Sequence, residues 1–221
     1  MRRLLVLRPE PGASATIERA RELGLAATSV PLFEIEPVAW EAPEPTGFDG
    51  LLLTSANALR FGGEKIRELR GLPVHAVGDA TAQAAREAGF DVASSGDSGI
   101  DLLLDSIDPM LKLLHLCGDD RREATNPPQA IATVVVYRST PVDSPDLSAA
   151  TDSVALVHSP RAGQRFAELM RDRGSIAVAA ISAAAAAAVG EGWAAVETAS
   201  APNDDALLAL AARLCNKPPP E

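Results

Sequence analysis

The sequence has few of the residues that usually mark a metal-binding, redox or membrane protein. Two of its 221 residues are cysteines and three are histidines, so it has neither a disulfide framework nor the ligand spacing of a metal site. Such cysteine usage predicts a cytoplasmic protein. No apolar run reaches the roughly 18 residues that a membrane-spanning helix needs. The glycine-rich nucleotide-binding motifs and the Gly-x-Ser-x-Gly motif of hydrolases are also absent.

Positive charge is scarce as well. Thirty acidic residues outnumber twenty basic ones and give a formal net charge of −10. Because nucleic-acid-binding proteins usually present a basic face, we expect no nucleic-acid partner, and no membrane partner either. Hydrophobic residues make up 47% of the chain, which is enough to bury real cores. A chain of this length can form one large domain or two domains of about 100 residues each.

What the sequence does contain is an internal repeat. An apolar run ends at Ser55, and a similar run ends at Ser159. In both copies a second apolar run ends 23 positions later, at Gly78 and at Ser182, and an aspartate followed by leucines comes after a further 23 positions. A repeat with matching spacings predicts a duplicated architecture. Residues 50–107 and 154–214 are therefore predicted to be equivalent halves of two domains.

The alternation of short apolar runs with helical stretches predicts an α/β fold. Continuous apolar runs are typical of strands in a parallel sheet that is covered by helices on both faces. Glycines that follow the helical stretches suit left-handed C-caps. Strand cores are predicted at residues 51–53, 74–77, 113–116, 134–136, 155–157 and 177–181, and helices at 13–23, 56–69, 80–88, 100–106, 162–173, 183–189 and 204–214.

Two shorter strand–helix–strand segments complete the chain and suggest a discontinuous domain. The order of segments is short, long, short, long. Pairing the first with the last gives one domain of residues 1–36 and 138–221, into which a second domain of residues 37–137 is inserted. The chain is predicted to cross between the domains over residues 34–47 and 137–145. Doubly connected domains often hinge over a cleft, and ligands bind in such clefts.

Small residues and hydroxyls gather where the predicted strands end. Ligands of open α/β sheets bind outside the carboxyl ends of strands, where helix N-termini present free amides. One interpretation is that a large anionic ligand lies across these amides; the other is ordinary helix capping by serine, threonine and aspartate. Both remain open at this point. The candidate substrate-binding residues are Arg8, Thr54, Ser55, Ala56, Asn57, Gly78, Asp79, Thr81, Cys117, Gly118, Ser159, Pro160 and Ser182.

Few acid–base groups accompany these candidates. His75 and His115 lie inside predicted strands, so we expect them to be packed rather than catalytic. His158 ends a strand, but no aspartate or cysteine forms a convincing triad with it. Tyr137 is the single tyrosine and lies where the chain should leave the second domain. Its phenol can donate a proton to a ligand there, although a packing role explains it equally well.

Several motifs occur in a particular order and spacing over nearly the whole chain. They are Arg8-Pro-Glu-Pro-Gly, Leu53-Thr-Ser-Ala-Asn-Ala, Ala76-Val-Gly-Asp-Ala-Thr-Ala, Val136-Tyr-Arg-Ser and His158-Ser-Pro-Arg-Ala. Together they resemble the uroporphyrinogen-III synthase family. The resemblance implies a bilobed fold of two similar α/β domains, each a parallel sheet flanked by helices, joined by a two-stranded ladder. It also implies cyclisation of hydroxymethylbilane without a cofactor or a metal, with inversion of the last pyrrole ring and loss of water.

The resemblance assigns roles to particular residues. It implies that Tyr137 is catalytic and assists the loss of hydroxide, and that Thr81 and Ser159 line the cleft. It implies a monomeric, cytoplasmic enzyme of tetrapyrrole biosynthesis whose partner is a small-molecule substrate, a linear tetrapyrrole, and it leaves open a transient contact with the preceding enzyme. Arg8, Arg60, Arg138 and Arg161 could supply local positive charge for the eight substrate carboxylates.

The sequence departs from the family pattern in two places. Many members carry Gly-Pro-x-Thr where this chain has Ser182-Ala-Ala-Ala. The segment between Gly118 and Tyr137 is short and contains two consecutive prolines, so we expect its helix to be truncated or missing. The alternative from another class is a non-catalytic relative that binds a tetrapyrrole or another polyanion. A two-domain sensor of small ligands is a third hypothesis.

Overall fold

Strands and helices alternate along the chain, as the hydrophobic pattern predicts. A computed structural model describes residues 2–96, 99–121 and 123–216. Within these residues it contains β1 (Leu4–Val6), α1 (Gly12–Glu22), β2 (Ala27–Ser29), β3 (Phe33–Pro37), β4 (Gly50–Leu53), α2 (Asn57–Phe61), β5 (Val74–Val77), α3 (Asp79–Glu87), β6 (Val92–Gly96), α4 (Ile100–Asp105), β7 (Lys112–Gly118), β8 (Ala130–Pro141), β9 (Val154–Val157), α5 (Pro160–Leu169), β10 (Ala177–Ala180), α6 (Ala183–Val189), β11 (Ala195–Thr198) and α7 (Asp204–Cys215), with 3-10 helices at Pro45–Gly47 and Glu64–Leu69.

The chain divides into two compact units. Unit 1 takes the chain up to Glu34 and again from Thr140 onward, and unit 2 is Ile35–Ser139. One sheet has the strand order β11-β10-β9-β1-β2, and the other has the order β3-β8-β7-β4-β5-β6. None of the helices in the part of the chain that the structure describes is both long and apolar enough to cross a membrane.

The two crossings between the units form the predicted two-stranded ladder. β3 and β8 are neighbours in the second sheet. The main-chain amide of Val38 donates to the carbonyl of Val136, and that of Val142 donates to the carbonyl of Leu32. Between these two hydrogen bonds the residue number decreases along β3 and increases along β8, as in an antiparallel pair. The second sheet is therefore mixed, with β8 parallel to β7 and antiparallel to the edge strand β3, and the predicted ladder is confirmed.

The sheet registers confirm the internal repeat. Val74 of β5 pairs with Val92 of β6, and 104 positions later Val178 of β10 pairs with Val196 of β11. The short segments also correspond, because β7 lies between β4 and β8 in one sheet as β1 lies between β9 and β2 in the other. Equivalent strands thus occupy equivalent places in two separate sheets.

Burial on both faces of each sheet explains the continuous apolar runs. In β1, Leu4 and Val6 pack into a core cluster that includes residues of α1 and α7, whereas Leu5 packs into a second cluster with residues of α5 and α6. Successive side chains of a strand point to opposite faces, so both sets must be apolar. The second cluster contains Phe166, whose ring stacks on Trp193 at a centroid distance of 5.1 Å.

The helix predicted for residues 56–69 is interrupted. α2 ends at Phe61, and a 3-10 helix follows over Glu64–Leu69. The break falls at Gly62 and Gly63, and Gly63 has a φ of 67°, a left-handed conformation that favours glycine. The apolar spacing of this stretch indicates burial correctly, but the pair of glycines ends the α-helix.

The helix predicted for residues 162–173 ends early, at Leu169. Met170 is already extended, with φ −96° and ψ 109°. The guanidinium of Arg173 donates to the carbonyl of Ala167 at 2.8 Å and to that of Met170 at 3.2 Å. A basic side chain that satisfies the last carbonyls stabilises a helix end without a glycine C-cap.

For three further segments, the sequence prediction was right once and missed two strands. The described residues between β7 and β8 contain no helix, as the short segment with two prolines predicts. The strands β6 and β11 were not predicted. Both lie at sheet edges and alternate between half-buried and exposed residues, so they lack the continuous apolar run of the central strands.

Candidate active site

A pocket lies at the carboxyl ends of the central strands of unit 2. Parallel strands place their carboxyl ends at one edge of the sheet, and β7, β4 and β5 are neighbours there. The pocket has a volume of about 260 Å³. The structure brings three predicted site residues together in its wall: Thr54, Ser55 and Tyr137. The other lining residues are Val77, Gly99, Ile100, Asp120 and Arg121.

Tyr137 supplies a proton donor to this pocket. It belongs to β8 and is half-buried. Burial raises the pKa of the Tyr137 phenol, while its hydroxyl lies within hydrogen-bonding reach of the Ser55 side chain and of the Gly118 main chain. A phenol whose pKa is above its usual value keeps its proton at neutral pH. Tyr137 can therefore give a hydrogen bond, or a proton, to a ligand in the pocket.

Gly118 makes room for the ring of Tyr137, and its contact with a substrate stays a prediction. Its register partner in the neighbouring strand is Tyr137, and the tyrosine ring lies across the face that a side chain would occupy. A Cβ at position 118 would be 2.6 Å from Cε2 and 2.7 Å from Cζ of Tyr137. Atoms cannot approach so closely without a shift of one of them. Glycine is thus required here by the tyrosine ring, independently of any ligand contact by its amide.

Thr54 is linked to a histidine beneath the pocket. Its Oγ1 lies 3.1 Å from Nε2 of His115. Burial and, to a smaller extent, the charge of Arg121 together lower the pKa of His115 to about 4, so the imidazole is neutral at neutral pH. His75 is also buried and contacts the Ser94 hydroxyl at 2.8 Å. The prediction that both histidines are packed is confirmed.

Three further candidates in unit 2 are shielded. Ala56, Thr81 and Cys117 are at most 7% exposed. The Sγ of Cys117 donates to the carbonyl of Val134 at 3.7 Å, and burial raises the pKa of this thiol. A buried, protonated thiol is a poor nucleophile. These residues support the edge of the sheet by packing.

The remaining candidates of unit 2 lie at helix starts. Asn57 begins α2, and its side-chain carbonyl accepts a hydrogen bond from Arg60 at 3.4 Å. Gly78 precedes α3 with φ 86° and provides no side-chain cap. Asp79 follows it as an exposed carboxylate in the first turn. That negative charge complements the helix dipole but disfavours a carboxylate ligand at the same place.

In unit 1, the capping interpretation accounts for the strand-end serines. The Ser159 hydroxyl accepts a hydrogen bond from the amide of Ala162 at 3.1 Å, and the Ser182 hydroxyl accepts one from the amide of Ala185 at 3.2 Å. Pro160 is the first residue of α5, the helical position that proline tolerates best. Each hydroxyl still has its own proton to donate, because capping uses only a lone pair.

Arg8 lies in a polar cluster that the sequence did not reveal. Its Nη1 donates to Asp204 Oδ1 at 3.1 Å, and the Thr16 hydroxyl donates to Asp204 Oδ2 at 2.9 Å. His158 Nε2 lies 3.2 Å from Asp204 Oδ1 without the alignment of a hydrogen bond. A Cβ at position 12 would lie 2.5 Å from Arg8 Nε, so any other residue there requires the Arg8 side chain to shift. The carboxylate of Asp204 thus largely neutralises the positive charge of Arg8.

The Asp204 carboxyl is expected to make the stability of the protein depend on acid pH. Burial disfavours its charge, but the contact with His158 and the charge of Arg8 outweigh burial and lower its pKa from 3.8 to about 2. A carboxyl with a lowered pKa stabilises the folded state above its unfolded pKa, here by about 2 kcal/mol. That contribution is lost as pH falls from about 4 to about 2.

Urea unfolding of the protein and of its Asp204→Asn variant checks this expectation. The variant should be less stable at neutral pH, and the difference should shrink steadily below about pH 4. Subtracting the two curves of unfolding free energy against pH cancels the contributions of the other carboxylates, which titrate equally in both proteins. A difference that stays constant down to pH 2 would show that Asp204 has an ordinary pKa.

The fold and the site define a class of protein. The chain forms two duplicated α/β units, one of which has a tyrosine pocket at the carboxyl ends of its strands. Within the residues that the structure describes, no group of histidine, cysteine, aspartate and glutamate side chains could hold a metal ion. This arrangement is that of a two-unit α/β protein with a polar pocket at the carboxyl ends of the strands of one sheet.

Comparisons with known proteins identify the family. The family described as "Uroporphyrinogen-III synthase HemD" matches residues 14–209. This chain belongs to the uroporphyrinogen-III synthase family. A uroporphyrinogen-III synthase of Chlorobaculum parvum is 31% identical over 101 residues, which cover 42% of this chain and 41% of that relative. The alignment therefore spans less than half of the relative.

Solved structures show the same fold. The uroporphyrinogen-III synthetase of Helicobacter pylori superposes with a TM-score of 0.70 at 20% identity, over 97% of this chain and all of the other. A mutant uroporphyrinogen III synthase of Thermus thermophilus has a TM-score of 0.52 at 16% identity, over 97% of this chain and all of the other. The expected architecture of two α/β domains is confirmed.

Proposed function

We propose that this protein is a hydro-lyase that cyclises hydroxymethylbilane to uroporphyrinogen III, with inversion of the last pyrrole ring and loss of water. Membership of the family supports this proposal. The observation that carries it is the protonated, half-buried phenol of Tyr137 in a pocket beside Ser55. A phenol beside a hydroxyl can protonate a departing hydroxide. The pyrrole nitrogen of the substrate itself supplies the electron pair that replaces the broken C–O bond.

The reaction begins at the hydroxymethyl group of the first ring. As the C–O bond breaks, Tyr137 transfers its proton to the departing oxygen, which leaves as water. The lone pair of the pyrrole nitrogen replaces the broken bond and gives an azafulvene. The last ring attacks this electrophile through the α-carbon that already carries its methylene bridge and forms a spiro intermediate. The bond from that carbon to the bridge then breaks, and the freed bridge carbon bonds to the unsubstituted α-carbon of the same ring, which inverts the ring and releases a proton. The proton that the pyrrole rings release on closure can return to the phenolate, so protons balance over the cycle.

The remaining polar groups of the pocket position the substrate. The Ser55 hydroxyl lies within reach of the Tyr137 oxygen and can stabilise negative charge that develops on it. A cavity of about 150 Å³ holds a benzene molecule, so the 260 Å³ pocket suits one substituted pyrrole ring. The other three rings of the substrate must lie outside this pocket. Holding the reactive ring next to the proton donor lowers the barrier by orientation.

The distribution of product isomers tests the proposal. Purified protein is incubated with hydroxymethylbilane generated enzymatically, and the uroporphyrinogen isomers are oxidised and separated by chromatography. The proposal predicts that type III is the main product and that it appears faster than spontaneous closure. Heat-denatured protein serves as the control and should give type I. Type I alone from the native protein would favour the non-catalytic binding protein.

A further inference from the structure

We propose that Arg121 binds a carboxylate of the pyrrole ring that carries the departing hydroxyl. This inference rests on the proposed function and deepens it, because it assigns a substrate group to one side of the pocket. A carboxylate is the expected ligand, since guanidinium matches it in charge and in bidentate geometry.

The position of the Arg121 side chain supports the assignment. It lines the same pocket as Ser55 and Tyr137 and is 24% exposed. It lies in the irregular segment that follows β7, whose described residues form no helix. Among the described lining residues it is the single cation, and Thr54, Val77, Gly99 and Ile100 carry no charge. One wall of the pocket thus presents a phenol and another presents a guanidinium.

The present partners of Arg121 are weak competitors for a substrate. Its Nη2 lies 2.9 Å from Oε1 of Glu123, whose side chain is 75% exposed. Exposed ion pairs contribute about 0–1 kcal/mol, so a carboxylate bound inside the pocket can replace Glu123. Asp120 is the other charged lining residue, and its side chain is exposed.

The electrostatic influence of Arg121 extends into the protein below the pocket. After burial, its charge is the second cause that lowers the pKa of His115. His115 contacts Thr54, another lining residue. The positive charge of Arg121 therefore reaches the buried side chain of His115 below the pocket and is not fully screened by solvent.

The chemistry of the substrate fits the two walls. Each pyrrole ring of hydroxymethylbilane carries an acetate and a propionate side chain. When the hydroxymethyl group of the first ring lies at the Tyr137 hydroxyl, the same ring has a carboxylate chain that can extend to another part of the pocket lining. A pocket of one-ring size leaves that carboxylate close to Arg121. The carboxylate is present both before and during the reaction, so its binding should affect KM more than kcat.

Kinetics of Arg121 variants test the inference. Arg121→Gln should raise KM for hydroxymethylbilane about 10- to 100-fold, the loss expected for a charge-assisted hydrogen bond, and should change kcat little. Arg121→Lys keeps the charge and should recover part of the loss. Arg67→Gln is the matched control, because Arg67 also pairs with an exposed glutamate nearby in sequence but does not line the pocket. Its KM should equal that of the parent protein.

Binding of uroporphyrin separates this inference from the proposed function. Uroporphyrin is a stable octacarboxylate, and quenching of its fluorescence or of the protein's tryptophans reports its affinity. Weaker binding by Arg121→Gln than by Arg67→Gln, most evident at low salt, supports the carboxylate contact even if type III product is never formed. Equal affinity and equal KM in the two variants, with melting temperatures like that of the parent, would overturn it.

Discussion

Replacing Gly118 by alanine should lower kcat by about 10²-fold, the low end of the value of a positioned general acid. The new Cβ would lie 2.6 Å from the Tyr137 ring. The main chain of Tyr137 is held by the sheet, and its carbonyl accepts the amide of Asp119 at 3.1 Å. The ring therefore has to turn away, and the hydroxyl leaves the position that it shares with Ser55. Steady-state kinetics on hydroxymethylbilane measure the loss.

A double variant shows whether Gly118 acts through the tyrosine. If the alanine harms catalysis only by moving the Tyr137 hydroxyl, Gly118→Ala combined with Tyr137→Phe should be no slower than the slower single variant. Losses that multiply would mean that Gly118 has a separate contact with the substrate, as the sequence first suggested. A Gly118→Ala protein with normal kcat would contradict the geometry of the pocket.

Replacing Ser55 by leucine should lower kcat/KM by about 10²-fold, through overpacking of the pocket and loss of a hydrogen bond. Ser55 is half-buried and lines the 260 Å³ pocket. Leucine adds a branched apolar side chain at the place where the reactive ring should lie. The melting temperature should change little, because the added atoms extend into open space and not into the core.

Ser55→Ala is the matched control for this prediction. It removes the hydroxyl, which accepts a hydrogen bond from the Asn57 amide at 3.2 Å, but leaves the pocket open. We expect KM to stay within a few-fold of the parent value, with a modest loss of kcat. If leucine and alanine at this position have equal effects, the volume of the pocket does not matter and the substrate ring lies elsewhere.

The fold was predictable because local pattern and tertiary structure agree. Strands such as β4 and β9 are buried on both faces, so their sequences are continuous apolar runs of a recognisable kind. The repeat added long-range information, since equal spacings from Ser55 to Gly78 and from Ser159 to Ser182 fixed which strands correspond. Tyr137 was recognised by its place at a crossing and by the family pattern.

The site was less predictable, because its contacts join residues that are far apart in sequence. Arg8 and Asp204 are separated by 196 positions, and the aspartate resembles an ordinary first-turn residue of α7. The requirement for glycine at position 118 depends on the ring of a neighbouring strand. Arg121 lies in an irregular segment, where no periodicity indicates which way a side chain points.

The two copies of the repeat also differ in what the polar residues at their strand ends do. Ser182 caps α6 through its hydroxyl, whereas the equivalent Gly78 offers α3 no side-chain cap. The hydroxyls of Ser159 and Ser182 are explained by helix capping. The polar residues Ser55 and Tyr137 instead line a pocket. Ser159 and Ser55 occupy equivalent positions, so one position of the repeat caps a helix in unit 1 and lines the candidate active site in unit 2.

The turnover of Tyr137→Phe tests most directly whether the phenol is the proton donor. Our account predicts a fall in kcat of about 10²-fold or somewhat less, because the substrate ionises readily and water can replace part of the acid. KM should change little, and the melting temperature should stay near that of the parent, since phenylalanine keeps the ring contact with Phe61. An unchanged kcat in Tyr137→Phe, with a loss of stability only in Tyr137→Ala, would show that Tyr137 packs the pocket wall and does not protonate the leaving group.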